Sequence, residues 1–470
     1  MADVRAGDTY QVEPDLAARQ AAIAALVWLV IAAGAGALAQ TSLLAPDAFP
    51  DAMSYGRLRA IFDSVFVFGW LASVVFLAVF AIVPRSVGAQ LHNEVLGATV
   101  VVVWHLVLLA GVACLLLGLN QGRLLAEFPL GVDLALLALM ALVAFNAIVT
   151  AVRRREESLY VSVWHLVAAS ILLPIVFAAG NFTNFSGVAE RIVGSFYVSG
   201  LELLWLVPAG LGIAYYVVPV VTGNPLHSSR LARIGFWSLM FADSWAGQRT
   251  TAGGPGPDYV ETIAAAMTLV LLIPVLSAAS NLFATARGRW DALADSVSLR
   301  FAATGLVMLV AWVALSALTA TRTVSSSLGM TSWQSGLRVL AWYGVFTSFG
   351  LALIYHVYPL LVGRVWFSRR AAAGHFWATV AGSMVAAAAL MGAGIVQWVA
   401  QETAQRAGSD LAAALRTQGL AARPFQALAA AALAVVAAAQ LALLWNAFRT
   451  AREGDPLSIA AAPDLAAVGV

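Results

Sequence analysis

Apolar runs of spanning length recur along this sequence, and they constrain its fold more than any other feature. A helix of about twenty residues crosses the hydrocarbon core of a bilayer and satisfies its own backbone hydrogen bonds, which lipid cannot do. The runs therefore predict an all-α polytopic membrane protein. We place about twelve transmembrane helices, near residues 19–42, 61–83, 95–117, 129–152, 160–180, 191–221, 230–250, 260–282, 299–321, 336–363, 374–400 and 424–448.

The composition excludes several classes of protein. Hydrophobic residues make up 61% of the 470 residues and charged residues only 11%, whereas an average soluble domain carries about 25% charged residues. So few charges cannot build a water-facing surface, which excludes a soluble enzyme and a nucleic-acid-binding chain. All 26 basic residues are arginine, so lysine chemistry is excluded, and the single cysteine, Cys114, excludes an internal disulfide.

The placement of arginine predicts the orientation in the membrane. If the N-terminus is cytoplasmic, most loop arginines, including the run at 153–155, lie on the inner side. This agrees with the positive-inside rule and puts both termini in the cytoplasm. The longest outer loops are then 43–60 and 401–423.

The chain is expected to form one domain. Residues 1–18 are a polar cytoplasmic N-terminal segment, 19–448 are a single transmembrane domain, and 449–470 are a cytoplasmic C-terminal tail. The only repeated string that we recognise is Val-Trp-His-Leu-Val, at 103–107 and 163–167. A string this short does not indicate an inverted-repeat transporter.

Five ionisable residues lie inside the predicted spans. An ionisable group in a span costs about 2.5–3.5 kcal/mol on insertion scales, so it usually has a partner or a role. With the orientation above, all five fall at a similar depth, in the outer third of the membrane. We expect them to form a buried ion-pair cluster, although some could instead line the outer interface. They are Asp63, Glu202, Asp243, Arg249 and Arg338.

Three histidines, His105, His165 and His356, also lie inside spans. They are weak candidates for haem ligands. His105 and His165 differ in depth by about 7 Å at the rise of an α-helix, which disfavours one haem held between them. His356 lies near the inner end of its span, where hydrogen bonding within the bundle is the simpler role.

Several local motifs resemble those of one known family. They are Tyr-Gly-Arg-Leu-Arg at 55–59, Asn-Gln-Gly-Arg at 120–123, Tyr-Tyr-Val-Val-Pro at 215–219, Trp-Ala-Gly at 245–247 and Ser-Phe-Gly at 348–350. In order and spacing they resemble subunit I of the haem-copper oxidases, most of all the cbb3-type cytochrome c oxidases. The resemblance covers about two thirds of the chain.

The resemblance implies a bacterial cytoplasmic (inner) membrane protein of a respiratory complex, in which six histidines hold two haems and a copper. This sequence carries other residues at all six matching positions. Apolar side chains cannot ligate iron, and serine, threonine and arginine do not replace imidazole at copper. The resemblance therefore predicts that no cofactor is bound and that no residue is catalytic. The six positions are Phe62, Ser199, Arg249, Thr250, Leu337 and Val339.

Three hypotheses about function follow. The first is a metal-free relative of oxidase subunit I that serves as a scaffold or partner of other membrane subunits in the lipid bilayer. The second is transport of protons, ions or small solutes through a cluster that includes Glu202, Asp243 and Arg249. The third is electron transfer, with a b-type haem held by relocated histidines or a quinone held by aromatic residues. None of them involves nucleic acid.

Overall fold

Long helices dominate the structure, a computed structural model that describes residues 15–183, 185–249, 254 and 256–458, without the side chains of Ala52 and Gln248. Eleven of the helical segments are long and apolar enough to cross a membrane, and a further one, α7, has 17 residues. The prediction of an all-α polytopic membrane bundle is confirmed. The segments are α1 (Leu16–Leu44), α2 (Tyr55–Ser86), α3 (Glu94–Leu116), α4 (Leu130–Val152), α5 (Val161–Asn181), α6 (Val188–Thr222), α7 (Ser229–Trp245), α8 (Asp258–Thr285), α9 (Val297–Thr319), α10 (Trp333–Val362), α11 (Arg369–Arg406) and α12 (Leu411–Glu453).

Three helices, α2, α6 and α10, form the most deeply buried part of the bundle. Each of them contains a π-helical segment, at Val65–Leu71, Leu201–Leu206 and Leu340–Phe346 respectively. A π turn widens the helix and changes the direction of the side chains that follow it, and such turns are frequent at functional sites. These three π-helical segments therefore indicate a functional site at the centre of the bundle.

The same three helices end in the same way. Each has a proline four residues before a glycine with positive φ, and the next helix begins after a capping residue nine positions beyond the proline. Glycine adopts this left-handed conformation without strain, so it can turn the chain sharply at this point. The three sets are Pro84, Gly88 (φ 62°) and Asn93; Pro219, Gly223 (φ 69°) and Ser228; and Pro359, Gly363 (φ 66°) and Ser368.

Each capping residue is held by hydrogen bonds to an asparagine, which lies on the helix that follows the capped one. We call this arrangement an asparagine clamp. In the second set, Asn281 Oδ1 accepts from Ser228 N (2.9 Å), and its Nδ2 donates to Ser228 O (3.0 Å). Thr285 Oγ1, one turn further on, accepts from His227 N at 3.0 Å. The first and third clamps are Asn146 with Thr150 and Asn446 with Thr450. The chain thus contains a threefold repeat of helical units.

The segment 401–423, expected to be an outer loop, is mostly helical. α11 continues to Arg406 and α12 begins at Leu411, so only a short turn joins them. At 1.5 Å per residue, the two helices are about 57 and 64 Å long, well beyond a hydrocarbon core of about 30 Å. They stay helical because they pack against each other along their length, and Pro424 lies inside α12.

Candidate functional site

Phe62 lies on α2, just before its π segment, inside a cluster of aromatic rings. Its ring centroid lies 5.5 Å from that of Phe66, 5.9 Å from Trp342 and 6.2 Å from Tyr343, on which it stacks. A methyl group at Gly36 of α1 would come 2.8 Å from the Phe62 ring, so the backbone of α1 packs directly on this cluster. Aromatic side chains and the backbone of α1 therefore occupy much of the space around Phe62, which is itself partly buried.

Leu337 and Val339 lie on α10 and present only carbon atoms. Leu337 is buried, and Val339 packs against a small apolar group from α11 and α12, made of Ala389, Leu390 and Ala429. Neither side chain has a donor atom for a metal.

Arg249 and Glu202 form a buried ion pair in the middle of the bundle. Arg249 Nη2 donates to Glu202 Oε2 at 2.5 Å, and the side chains are 6% and 10% exposed. The other carboxylate oxygen accepts from Trp342 Nε1 at 3.0 Å. The Arg249 guanidinium also lies 5.5 Å from the centroid of the Trp312 ring, within the range of a cation–π contact. Both oxygens of the buried carboxylate are therefore satisfied.

A second set of ion-paired side chains lies beside the Arg249–Glu202 pair. The Asp63 carboxylate is 3.7 Å from Arg59 and 3.8 Å from Arg338, and Arg59 is also 3.7 Å from Glu127. The Arg338 guanidinium lies 5.6 Å from the Trp342 ring centroid. Because Trp342 also donates to the carboxylate of the first pair, its indole connects the two charged groups.

Glu127 lies outside the spans, in the connection between α3 and α4, yet it is buried. Burial, and after it the Asp63 carboxylate, raise the pKa of its carboxyl from 4.5 to about 7 against the opposing effect of the Arg59 guanidinium. The sequence does not indicate that Glu127 is buried beside Arg59, because a carboxylate in a loop is ordinarily solvated.

The structure joins four of the five expected cluster residues, as two pairs linked through Trp342. Asp243 is buried beside them: the Arg249 charge acts on its carboxyl, but neither of its oxygens has a hydrogen-bond partner among the residues that the structure describes. α7 ends at Trp245, and a short turn at Ala246–Gln248 changes the direction of the chain before Arg249. Thr250 lies outside the described residues.

A cavity of about 460 Å³ ends on this charged network. Its lining includes the exposed residues Gly122, Phe185 and Arg191, which therefore lie at the mouth, and the buried residues Ser199 and Glu202, which lie at the floor. The mouth is formed by loops that follow α3 and α5, on the outer side in the predicted orientation. The other lining residues that concern us are Arg123, Glu190, Tyr197, Arg249, Trp312, Ser316, Gln334, Leu337 and Arg338.

The three candidate histidines have different partners. His105 Nδ1 accepts from Trp28 Nε1 at 2.8 Å, and His165 Nδ1 lies 2.9 Å from the carbonyl oxygen of Val161. His356 packs edge-on against a tyrosine of α6. The Nε2 atoms of His105 and His356 are buried without a hydrogen-bond partner in the described part of the chain, but no histidine lines the cavity.

The donor atoms around the cavity do not fit a haem iron or a copper. Among the described residues that line it there is no histidine, cysteine or methionine, and the Tyr197 hydroxyl donates to the carbonyl of Leu125 at 2.8 Å. No three His, Cys, Asp or Glu side chains in the described ranges are placed to share a metal ion. Hydroxyl and guanidinium groups dominate instead, and these donate hydrogen bonds to anions.

Comparison with known proteins identifies the family. The family model described as Cytochrome C and Quinol oxidase polypeptide I matches residues 16–432. The chain is 26% identical over 396 residues to Cbb3-type cytochrome c oxidase subunit CcoN1 of Stutzerimonas stutzeri, which covers 81% of this chain and 83% of that protein. It is 27% identical over 369 residues to Cytochrome c oxidase subunit 1 of Rhodobacter capsulatus, with 73% of this chain and 68% of that protein covered.

The fold agrees with this assignment. A solved structure of a heme-copper terminal oxidase dimer superposes with a TM-score of 0.76 at 14% identity, covering 95% of this chain and 86% of that one. At this identity the likeness concerns the fold alone, whereas the family match extends over most of the sequence. The chain therefore belongs to the cytochrome c and quinol oxidase polypeptide I family.

Proposed function

We propose that this chain is a subunit I-like protein that works without the family's haems and copper, as a scaffold or partner subunit of a respiratory complex. The observation that carries the proposal is Phe62. It stands where the cbb3-type resemblance puts a haem ligand, and its ring is packed among Phe66, Trp342 and Tyr343. A haem there would need both a ligand and the volume that these rings fill.

The copper region supports the same proposal. Arg249 and Ser199 stand at two of the positions that the resemblance gives to copper ligands, and Arg249 is paired with Glu202 at 2.5 Å. A buried guanidinium already supplies a positive charge that balances the carboxylate. Adding a divalent cation beside it would bring like charges together in a poorly screened environment.

A role as a partner subunit rests on the relatives. Those reported above are themselves named as subunits of cytochrome c oxidases, one of them cbb3-type. A bundle that keeps their fold and loses their redox groups can still offer the surfaces by which such subunits assemble in a bacterial cytoplasmic membrane.

The first test is an optical spectrum with metal analysis of the detergent-purified protein, air-oxidised and then reduced with dithionite. We expect no Soret band, no α band and no copper. A stoichiometric b-type haem would overturn the proposal and favour electron transfer, and substitution of His105, His165 and His356 would then identify the ligand. The partner role is tested by co-purification from the native host, where subunits of an oxidase complex should be recovered in fixed ratio.

A second candidate, transport, is favoured by the cavity. It is open at one side of the bundle and ends on a buried ion pair, as expected of a half-open solute pathway. Glu202→Gln and Asp243→Asn should then abolish flux in proteoliposomes while the protein stays folded. Normal flux in both variants would exclude this candidate.

A further inference from the structure

The floor of the cavity carries hydrogen-bond donors that the protein itself does not use. Ser199 and Ser316 line the cavity and are only 2% and 8% exposed. Neither hydroxyl makes a hydrogen bond within the described part of the chain, and neither oxygen is among the atoms sealed from solvent. Two hydroxyls that face the cavity without a protein partner are available to water or to a polar ligand.

Arg249 stands beside these hydroxyls with donors to spare. A guanidinium has five N–H donors, and the contact to Glu202 uses Nη2. The Nη1 group has no hydrogen-bond partner within the described ranges. Arg249 thus pairs with Glu202, lies within electrostatic reach of Asp243, and keeps hydrogen-bond donors at Nη1 for a further acceptor.

Two of these three donors occupy positions where the resemblance predicts copper ligands. Imidazole lone pairs there would bind a cation, whereas the Ser199 hydroxyl and the Arg249 guanidinium donate hydrogen bonds and bind anions. The electrostatic preference of the position is therefore inverted, from a metal cation to an anion.

The charge balance of the lining sets the charge of the ligand. Arg249 is paired with Glu202, Arg123 with Glu190 at 3.0 Å, and Arg338 contacts Asp63. Arg191, at the exposed mouth, has no ion-pair partner among the described residues. The unmatched positive charge of Arg191 at the mouth would attract a monoanion from solution into the cavity.

The remaining walls set the shape of the ligand. Tyr197, Trp312 and Leu337 supply apolar surface between the mouth and the floor. The volume of about 460 Å³ lies in the range typical of small-molecule sites, about 300–1,000 Å³. A bare inorganic ion would leave most of this volume and all of this apolar surface unused.

We propose that the cavity binds a small organic monocarboxylate. Its carboxylate accepts hydrogen bonds from Arg249, Ser199 and Ser316 at the floor, and its apolar part lies against Trp312 and Leu337. The proposal rests on the cavity being free of haem, as in the proposed function, but it does not depend on any partner subunit.

The test is calorimetric titration of the purified full chain with benzoate and pyruvate, and with benzamide, chloride and inorganic phosphate as comparisons. We expect one saturable site for a carboxylate and none for the neutral amide. Ser199→Ala and Ser316→Ala should each weaken binding about tenfold, since each removes a hydrogen bond to a charged group. Ser326→Ala, at an exposed serine outside the cavity, is the control and should bind as the wild type does.

Three outcomes would overturn the proposal: no saturable carboxylate site, equal binding of benzamide, or tighter binding of chloride or phosphate. Unchanged affinity in the Ser199→Ala/Ser316→Ala double variant would do the same. An optical spectrum of the same sample distinguishes failure of the proposed function from failure of this inference. A Soret band means that the proposed function has failed, whereas a haem-free protein that binds no carboxylate refutes only this inference.

Discussion

Breaking the buried pair of Arg249 and Glu202 should destabilise the protein strongly. Arg249→Ala leaves a carboxylate in the interior without its charge partner, which costs about 3–5 kcal/mol. Thermal unfolding of the detergent-purified variant should show a clearly lower midpoint than wild type. An unchanged midpoint would contradict the claim that the pair is buried.

An exposed ion pair on the same chain supplies the matched control. Arg406 is 81% exposed and pairs with Glu402 one turn away at 2.9 Å. Arg406→Ala should cost less than about 1 kcal/mol, as exposed pairs do. The double variant Arg249→Met/Glu202→Gln should recover part of the lost stability, because it removes both buried charges together.

Glu127 predicts a pH dependence of stability. Its folded-state pKa is raised from 4.5 to about 7, so the folded protein holds a proton that the unfolded chain releases. The associated stability is fully present below about pH 4.5 and is lost as the pH rises through about 7. Melting midpoints measured from about pH 5 to about pH 8 should fall, and Glu127→Gln should flatten that fall.

Glu402→Gln, at a side chain that is 43% exposed, is the control for this titration and should keep the wild-type slope. Equal slopes in wild type and Glu127→Gln would show that Glu127 does not titrate in this window. The difference between the two slopes isolates Glu127 from other groups that titrate at the same pH.

The sequence predicted which charges are buried better than it predicted their partners. Arg249 and Glu202 are 47 residues apart, and the Trp342 indole that shares the carboxylate comes from 140 residues beyond Glu202. Hydropathy identifies a charge inside a span, but pairing depends on how α6 packs against α10 and against the segment after α7, which no local spacing encodes. Asp243 lies only six residues from Arg249 and feels its charge, yet the two side chains form no ion-pair contact within the described part of the chain.

At the scale of the helix, the asparagine clamps should contribute measurably to stability. Asn281→Ala removes both hydrogen bonds to Ser228 and leaves the backbone N–H and C=O of Ser228 without these partners. We expect a loss of about 1–3 kcal/mol in thermal unfolding, and similar losses for Asn146→Ala and Asn446→Ala. Gln405→Ala, at an exposed position near the end of α11, should change stability by less than about 0.5 kcal/mol.

If all three asparagine variants unfold at the same temperature as the Gln405→Ala control, the clamps do not fix the turns.

The repeat is difficult to recognise in the sequence because its spacing changes. The capping residue precedes its asparagine by 53 positions in the first two units and by 78 in the third, where α11 and α12 are longer. Pro-x-x-x-Gly followed by Asn-x-x-x-Thr is nevertheless a readable signal.

For the whole molecule, eleven of the twelve predicted spans are found among the described residues, because length and hydropathy decide them, whereas the span predicted at 230–250 is only the 17-residue α7. The ends of the helices do not follow from the sequence, since α11 and α12 are extended by packing against each other rather than by contact with lipid. α7 is short for a different reason: it ends at Trp245, where a turn leads the chain to Arg249 of the buried ion pair.

The predicted orientation can be tested with single cysteines. On a Cys114→Ser background, Ser409→Cys lies in the turn between α11 and α12, and Ser458→Cys follows α12. A membrane-impermeant maleimide added to intact cells should label the first and not the second. The opposite pattern would invert the topology, and equal labelling of both after controlled lysis confirms that each thiol is reactive.

In electron micrographs, the helical hairpin of α11 and α12 would mark one side of the particle. A 49.2 kDa protein in a detergent micelle offers few features by which images can be aligned. The hairpin is well suited to carry such a feature, because its two helices are held to each other up to the turn at 407–410. A rigid helical domain grafted at Gly408 would continue both helices and serve as a fiducial for orientation.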